Sequence, residues 1–233
     1  MSESCLLYYI TDRSAFSGDG RTRRRRLLDK IAEAASCGVN YVQLREKDLP
    51  TRELESLARE AMCIIREQNK PAPGTRGPAT AFLINSRTDV ALATGADGVH
   101  LRGKDVSVED VRKAWNLADS RGAGTLAREI RKTPLVGVSC HFVEDVFRAA
   151  AAGASFAVFA PVFEKKDAPR ATPTGLEALQ QACSANIPVF ALGGVTLANA
   201  ASCLQAGAAG IAAIRLFQEN DIAEIARELR NLR

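Results

Sequence analysis

Aromatic residues make up only 6% of this 233-residue sequence, and histidine occurs twice, as His100 and His141. Neither histidine stands near paired cysteines. The six cysteines (Cys5, Cys37, Cys63, Cys140, Cys183, Cys203) show no CxxC spacing. That argues against structural zinc and for free thiols in a cytoplasmic protein. Long apolar runs are missing too: none approaches the ~18 residues of a membrane helix. No secretory signal precedes the short segment "CLLYYI", so neither export nor a membrane partner is expected. Charge of one sign is not in excess, with 31 Lys+Arg against 27 Asp+Glu. The basic run "RTRRRR" at 21–26 reads as a solvated loop and first helical turn, so no nucleic-acid partner is expected.

What is present is repetition. Eight short apolar runs recur: "CLLYYI" (5–10), "YVQLR" (41–45), "AFLIN" (81–85), "GVHL" (98–101), "LVGVS" (135–139), "FAVFA" (156–160), "PVFAL" (188–192) and "GIAAI" (210–214). Segments with helical spacing separate them, among them "TRELESLAREAMCIIREQ", "VEDVFRAAAAG" and "IAEIARELRNL". Apolar strands each followed by a helix predict a parallel sheet covered on its outer face. Eight such pairs fill the length, which predicts one (β/α)8 barrel spanning 1–233. Gly38, Gly95, Gly153 and Gly207 sit in variants of one phrase ("SCGVN", "ATGAD", "AAGAS", "QAGAA"), each closing a helix ahead of a strand. The segments around 70–79 and 118–133 read as insertions.

In such barrels, function gathers at the C-terminal ends of the strands. Strand alternation puts Gln43, Arg45 and Lys47 of "NYVQLREKDLP" on one face, at the end of strand two. Two cations and an amide there suit a phosphate or diphosphate; the alternative is an internal salt bridge to Glu46 or Asp48, or to a neighbouring strand. Strand three ends in Asn85, Ser86 and Arg87; His100, Lys104 and Asp105 belong to strand four and its loop; Ser139 and His141 lie at the end of strand five. His100, within "GVHL", reads as structural, whereas His141 follows a strand end. "ALGGVTLANA" places Gly193 and Gly194 between a strand and a helix start, with Arg215 after the last strand. That is either a tight turn or a second phosphate site.

Taken together, "YVQLREKDLP", "LINSRTDVALATGADGVHL", "GVSCHFVEDVFRAAAAGA", "PVFEKKDA" and "IPVFALGGVTLANAASCLQAGAAGIAAI" resemble the thiamine-phosphate synthase family, which includes related thiazole tautomerases. The resemblance implies a cytoplasmic transferase. It would join hydroxymethylpyrimidine diphosphate to a thiazole phosphate with Mg2+ and release pyrophosphate, by a dissociative step that demands stabilisation of leaving-group charge. It implies that Gln43, Arg45, Lys47 and Asn85 hold the pyrimidine diphosphate and that Ser139 lies near the reacting pyrimidine. Gly193 and Gly194, with Ile214 at the end of strand eight, would hold the thiazole phosphate; Arg215 stands where the synthases usually carry serine and either strengthens that binding or blocks the pocket. It leaves homo-oligomer formation open.

Departures from the family pattern are specific. "INSR" puts Ser86 where the synthases carry a metal-binding aspartate, and "HLRGKD", in place of the usual "HLGQ-D", retains Asp105 as the second metal carboxylate. One carboxylate gives a weaker Mg2+ site. After strand six the family's Thr-x-Thr-Lys stretch has no matching threonines, and Lys165 is the best candidate for its lysine. Two alternatives follow: a metal-free tautomerase with His141 as acid–base group, or a non-catalytic barrel that binds thiamine precursors.

Overall fold

The computed structural model describes residues 5–70, 79–121, 133–164 and 172–232. Eight parallel strands form one closed barrel in chain order. They are β1 (Leu6–Ile10), β2 (Tyr41–Leu44), β3 (Ala81–Asn85), β4 (Gly98–Leu101), β5 (Leu135–Cys140), β6 (Phe156–Phe159), β7 (Val189–Ala191) and β8 (Gly210–Ala213). Pairing of Leu6 with Gly210 closes the cylinder. Outside it lie α1 (Gly20–Ser36), α2 (Thr51–Gln68), α3 (Thr88–Thr94), α4 (Val108–Arg121), α5 (Val143–Ala151), α6 (Gly175–Ala182), α7 (Leu197–Gln205), the short α8 (Arg215–Gln218) and α9 (Ile222–Arg230).

All eight expected strands are found, most of them a residue or so shorter than their apolar runs. The difference matters at β2, which stops at Leu44; Lys47 lies in the turn beyond, so strict alternation does not carry its side chain. The basic run differs from expectation as well. Asp19 accepts from Thr22 N at 2.8 Å and starts α1 before the arginines, so all of 21–26 is helical. Arg24 bonds Ser56 and Glu60 of α2. Of the two expected insertions, residues 71–78 and 122–132 lie outside the described residues, and 118–121 belong to α4.

Helices dock through apolar stripes of period 3.6. Leu54, Leu57, Ala58, Ala61, Met62 and Ile65 are the buried face of α2, while Glu53, Glu55 and Arg59 stay outward. Each large side chain so buried contributes about 1.5–3 kcal/mol.

The repeated glycine phrase is a repeated joint. Gly38, Gly95, Gly153 and Gly207 have φ of 69°, 66°, 78° and 97°, and each follows a helix that leads into an even-numbered strand. The amide after each glycine bonds back five residues: Val39 to Ala34 O, Ala96 to Ala91 O, Ala154 to Ala149 O, Ala208 to Cys203 O. This is the left-handed helix stop that only glycine adopts without strain. The next residue then reaches sideways. Asn40 Oδ1 accepts from Leu7 N (2.9 Å), Asp97 Oδ2 from Phe82 N (2.8 Å) and Ser155 Oγ from Val136 N (3.0 Å). Each tie binds an odd strand to the even strand after it. Ala209, in the fourth copy, has no side-chain acceptor.

The barrel interior is filled by Tyr8, Ile10, Leu83, Phe156, Val158, Phe190 and Ala212, with Tyr41 packed against them. Tyr8 stands at its centre, edge-on to Tyr41, Phe156 and Phe190 with ring centroids 5.4–5.8 Å apart. Gly137 makes room for this layer, since a Cβ there would meet the Phe156 ring at 2.5 Å and His100 Nδ1 at 2.9 Å. Above these rings the inward positions turn polar: Gln43, Asn85, His100 and Ser139.

Candidate active site

The mouth is built first by the chain after β1 and β2. Thr11 Oγ1 accepts from Arg45 N at 3.0 Å and donates to Glu46 Oε1 at 2.6 Å. Glu46 also accepts from Arg13 N at 3.0 Å, with the Arg13 guanidinium 3.7 Å away. Arg13 pairs again with Asp48 at 2.8 Å. Both acids that an internal salt bridge would require are therefore engaged by Arg13. Arg45 and Lys47 form no ion pair among the described residues. Gln218 of α8 fixes the same loop: its amide accepts from Tyr9 OH (3.0 Å) and Asp12 N (3.2 Å) and donates to Asp12 O (2.7 Å).

The cations at this mouth disfavour one another. Burial lowers the pKa of Arg45, and nearby Arg102 lowers it further against the pull of Asp12 and Glu46. Lys47 is lowered chiefly by Arg45, with burial and Arg102 adding to the effect. Such a cluster is relieved when an anion arrives.

The next wall comes from β3, β4 and β5. Gln43, fully buried, donates through Nε2 to Asn85 Oδ1 at 3.3 Å, and Asn85 Nδ2 donates to Ser86 Oγ at 3.1 Å. Ser86 has φ 61°, in the left-handed region that non-glycine residues seldom occupy. His100 was expected to be structural. Its ring is buried, but it also reaches the mouth: Nδ1 lies 3.1 Å from Tyr8 OH and Nε2 lies 2.8 Å from Ser139 Oγ. Burial, with the charge of Arg45, lowers its pKa to about 3, so the ring is neutral at physiological pH. Burial also raises the Tyr8 pKa, which keeps that hydroxyl protonated. Every group is satisfied when Tyr8 OH donates to Nδ1 and Nε2–H donates to Ser139 Oγ. The Ser139 proton is then free for a ligand.

The resemblance implies Mg2+ between position 86 and Asp105. Here Arg102, on the same loop as Asp105, fills that gap. Arg102 Nε donates to Ser86 Oγ at 2.8 Å, its backbone N to Asp105 Oδ2 at 2.7 Å, and Nη2 lies 3.4 Å from Asp105 Oδ1. Ser86 also favours the ionised form of the Asp105 carboxyl. Burial works against that group's ionisation, but the bonds from Ser86 and Arg102 hold its pKa below the usual range. Mg2+ demands a near-octahedral oxygen shell at ~2.0–2.1 Å. One carboxylate and one saturated hydroxyl, with a guanidinium between them, do not fit that ion. No group of three or more His, Cys, Asp or Glu with metal-site geometry occurs among the described residues.

On the far side, His141 follows β5, and its Nδ1 bonds Ala160 O at 2.7 Å. Because a carbonyl only accepts, Nδ1 carries a proton in this bond. Lys165 lies outside the described residues. Gly193 and Gly194 have φ of 94° and 67°, and Phe163 N bonds Gly193 O at 3.0 Å. A Cβ on Gly194 would meet Glu164 O at 2.4 Å. The glycine pair is thus a tight turn just after β7. Asn199 braces it by accepting from Thr196 N (2.7 Å) and donating to Gly194 O (3.0 Å). Ile214 caps α8, and Arg215, its first residue, is exposed. Gly194→Ala is expected to destabilise the fold by about 1–3 kcal/mol, read as a lower urea midpoint with an unchanged m-value.

The structure brings Gln43, Asn85, Ser86, Asp105 and Ser139 together on one side, with Arg45 and Lys47 at the rim. The sequence alone did not single out Thr11, Arg102 or Gln218, and it offered Glu46 only as a salt-bridge partner. Only Arg102 carried a signal, as a charged residue in a loop where the family pattern has glycine.

Cations, amides and a free hydroxyl at the C-terminal mouth of a (β/α)8 barrel define a phosphate-handling enzyme. Comparisons narrow the class. The family model for thiamine monophosphate synthase matches residues 7–217, and the chain belongs to that family. A putative thiamine-phosphate synthase of Geobacter sulfurreducens is 40% identical over 226 residues, covering 96% of this chain and 92% of the relative. A thiamine-phosphate synthase of Methanoculleus marisnigri is 36% identical, covering 97% and 93%. Among solved structures, a thiamine phosphate pyrophosphorylase from Pyrococcus furiosus superposes with a TM-score of 0.74 at 28% identity, covering 99% of this chain and 96% of that one. No helix among the described residues is long and apolar enough to cross a membrane.

Proposed function

We propose that this protein is a transferase that couples hydroxymethylpyrimidine diphosphate to a thiazole phosphate and releases pyrophosphate. The observation that carries this reading is the pair Arg45 and Lys47. They share the mouth with Gln43 and Asn85 and are left without acidic partners, because Arg13 engages Glu46 and Asp48. A metal-free tautomerase has no diphosphate to hold and gives that cluster no purpose.

In the proposed reaction the carbon–oxygen bond to the diphosphate breaks, and the leaving group departs with the electron pair. Arg45 and Lys47 stabilise the charge that grows on its oxygens. Gln43 and Asn85, locked to each other, orient the pyrimidine. The free Ser139 proton points at it from the β5 side, held by the neutral His100 ring. The thiazole nitrogen then captures the pyrimidine carbocation, with the phosphate at the other end of the thiazole held against Gly193 and Gly194, beside Ile214 and Arg215. Lys165 is assigned to the leaving diphosphate on resemblance alone. His141, whose Nδ1 is bonded to Ala160 O, follows β5 at the mouth and takes no part in the bond cleavage.

The test is to incubate purified protein with both substrates and follow thiamine phosphate and pyrophosphate. Equal amounts of the two products are expected. Absence of both, from protein with an intact far-ultraviolet spectrum, would sink the reading. Loss of signal from a thiazole C–H in deuterated buffer, without pyrimidine, would instead indicate tautomerisation.

A further inference from the structure

We infer that Arg102 takes the place of the metal ion in this barrel and neutralises the diphosphate directly, so that the site works without Mg2+. The inference rests on the diphosphate being the ligand of this mouth, as proposed above.

Two independent features of the geometry lead there. The first is occupancy. Ser86 Oγ accepts from Asn85 Nδ2 at 3.1 Å and from Arg102 Nε at 2.8 Å. A hydroxyl oxygen has two lone pairs, so none remains for a metal. Asp105 is held by the Arg102 backbone and lies beside its guanidinium. Displacing the arginine would leave Ser86 and Asp105 to be satisfied by one ion that has only a single carboxylate to compensate its double charge.

The second is what Arg102 has left over. A guanidinium carries five N–H donors, and Arg102 directs Nε and Nη2 to Ser86 and Asp105. Nη1 and the second Nη2 proton are uncommitted, and the side chain is half exposed at the mouth. Its charge adds to the repulsion felt by both Arg45 and Lys47, the other two cations of this mouth. Guanidinium groups suit phosphate oxygens because they bind them bidentately and stay protonated at any physiological pH. Arg45, Lys47 and Arg102 together match the charge of a departing pyrophosphate. The Asp-to-Ser change at position 86 and the arginine at 102 are then one exchange: removal of a carboxylate makes room for a fixed cation.

The experiment is calorimetric titration of inorganic pyrophosphate into the full chain, in EDTA and in Mg2+, with turnover measured under the same conditions. The expected result is binding in EDTA, altered less than about threefold by Mg2+, and turnover that persists in EDTA. Arg102→Ala is expected to weaken pyrophosphate binding in EDTA by about 10- to 100-fold. The paired variant Ser86→Asp with Arg102→Gly is expected to bind pyrophosphate only when Mg2+ is present. Wild-type binding or turnover that vanishes in EDTA would overturn the inference, as would an Arg102→Ala variant that binds normally. If no thiamine phosphate forms under any condition, the synthase reading fails, while pyrophosphate binding in EDTA still decides the role of Arg102.

Discussion

Arg45→Ala is expected to lower kcat/KM by about 10²- to 10³-fold, the usual loss when one preorganised donor to a developing anion is removed. The same change is expected to leave the melting temperature within a few degrees of wild type. Both halves follow from one observation. The backbone of Arg45 is fixed by Thr11, while its guanidinium forms no ion pair among the described residues. Removing it costs the fold no partner and relieves the repulsion felt by Lys47. Arg45→Lys keeps the charge but not the planar fork, and is expected to recover only part of the loss. Steady-state kinetics with the diphosphate substrate varied, set beside thermal unfolding, would check both. A fold that loosened with Arg45→Ala would show the residue to be structural.

Stability should depend on pH in an unusual way, because two buried groups are shifted in directions that oppose each other. Burial raises Glu46 from 4.5 to about 7 despite its bonds from Thr11 and Arg13. The folded chain therefore holds a proton that the unfolded chain has released, and stability rises as pH falls from above 7 toward 4.5. His100 is lowered from 6.5 to about 3. The unfolded chain takes up a proton there that the folded chain refuses, so stability falls as pH drops from 6.5 toward 3. Between roughly pH 6.5 and 4.5 the two slopes nearly cancel, and below that His100 is joined by carboxylates of depressed pKa such as Asp105. Across its whole window His100 is expected to cost on the order of 5 kcal/mol. Urea midpoints from pH 8 to pH 4 should thus rise slightly, level off and then fall. In Glu46→Gln the plateau should vanish, with the decline beginning near pH 6.5. A Glu46→Gln profile parallel to wild type would show that Glu46 is not protonated in the folded state.

The barrel was legible because each strand, buried on both faces, is an almost unbroken apolar run, and because glycine closes the helices before the even strands. Those are local signals. The binding face was legible in part: Gln43 is on β2, and its period of two places it inward. Lys47 was beyond the reach of that rule, since the strand stops at Leu44. Glu46 looked like one more charge in "REKD", yet it is buried by Thr11 and Arg13, 35 and 33 residues away in sequence. His100 is inward for the same reason as Gln43. Its partners come from β1 and β5, however, and no spacing within "GVHL" announces them. Arg102 meets Ser86 16 residues earlier, from the neighbouring loop. Pairings that depend on which strands the barrel sets side by side cannot be read from short windows of sequence.

The four glycine joints lie at the end of the barrel opposite the mouth, and three of them lash a strand to its neighbour through Asn40, Asp97 or Ser155. Closure of the cylinder is thereby assigned to a face that no substrate visits. The loops above carry little of that duty. A carboxylate at one strand end and a glycine in the next loop can be traded for a serine and an arginine while the cylinder beneath stays shut. Chemistry at the rim is free to drift from one kind of cation to another on an unchanged foundation.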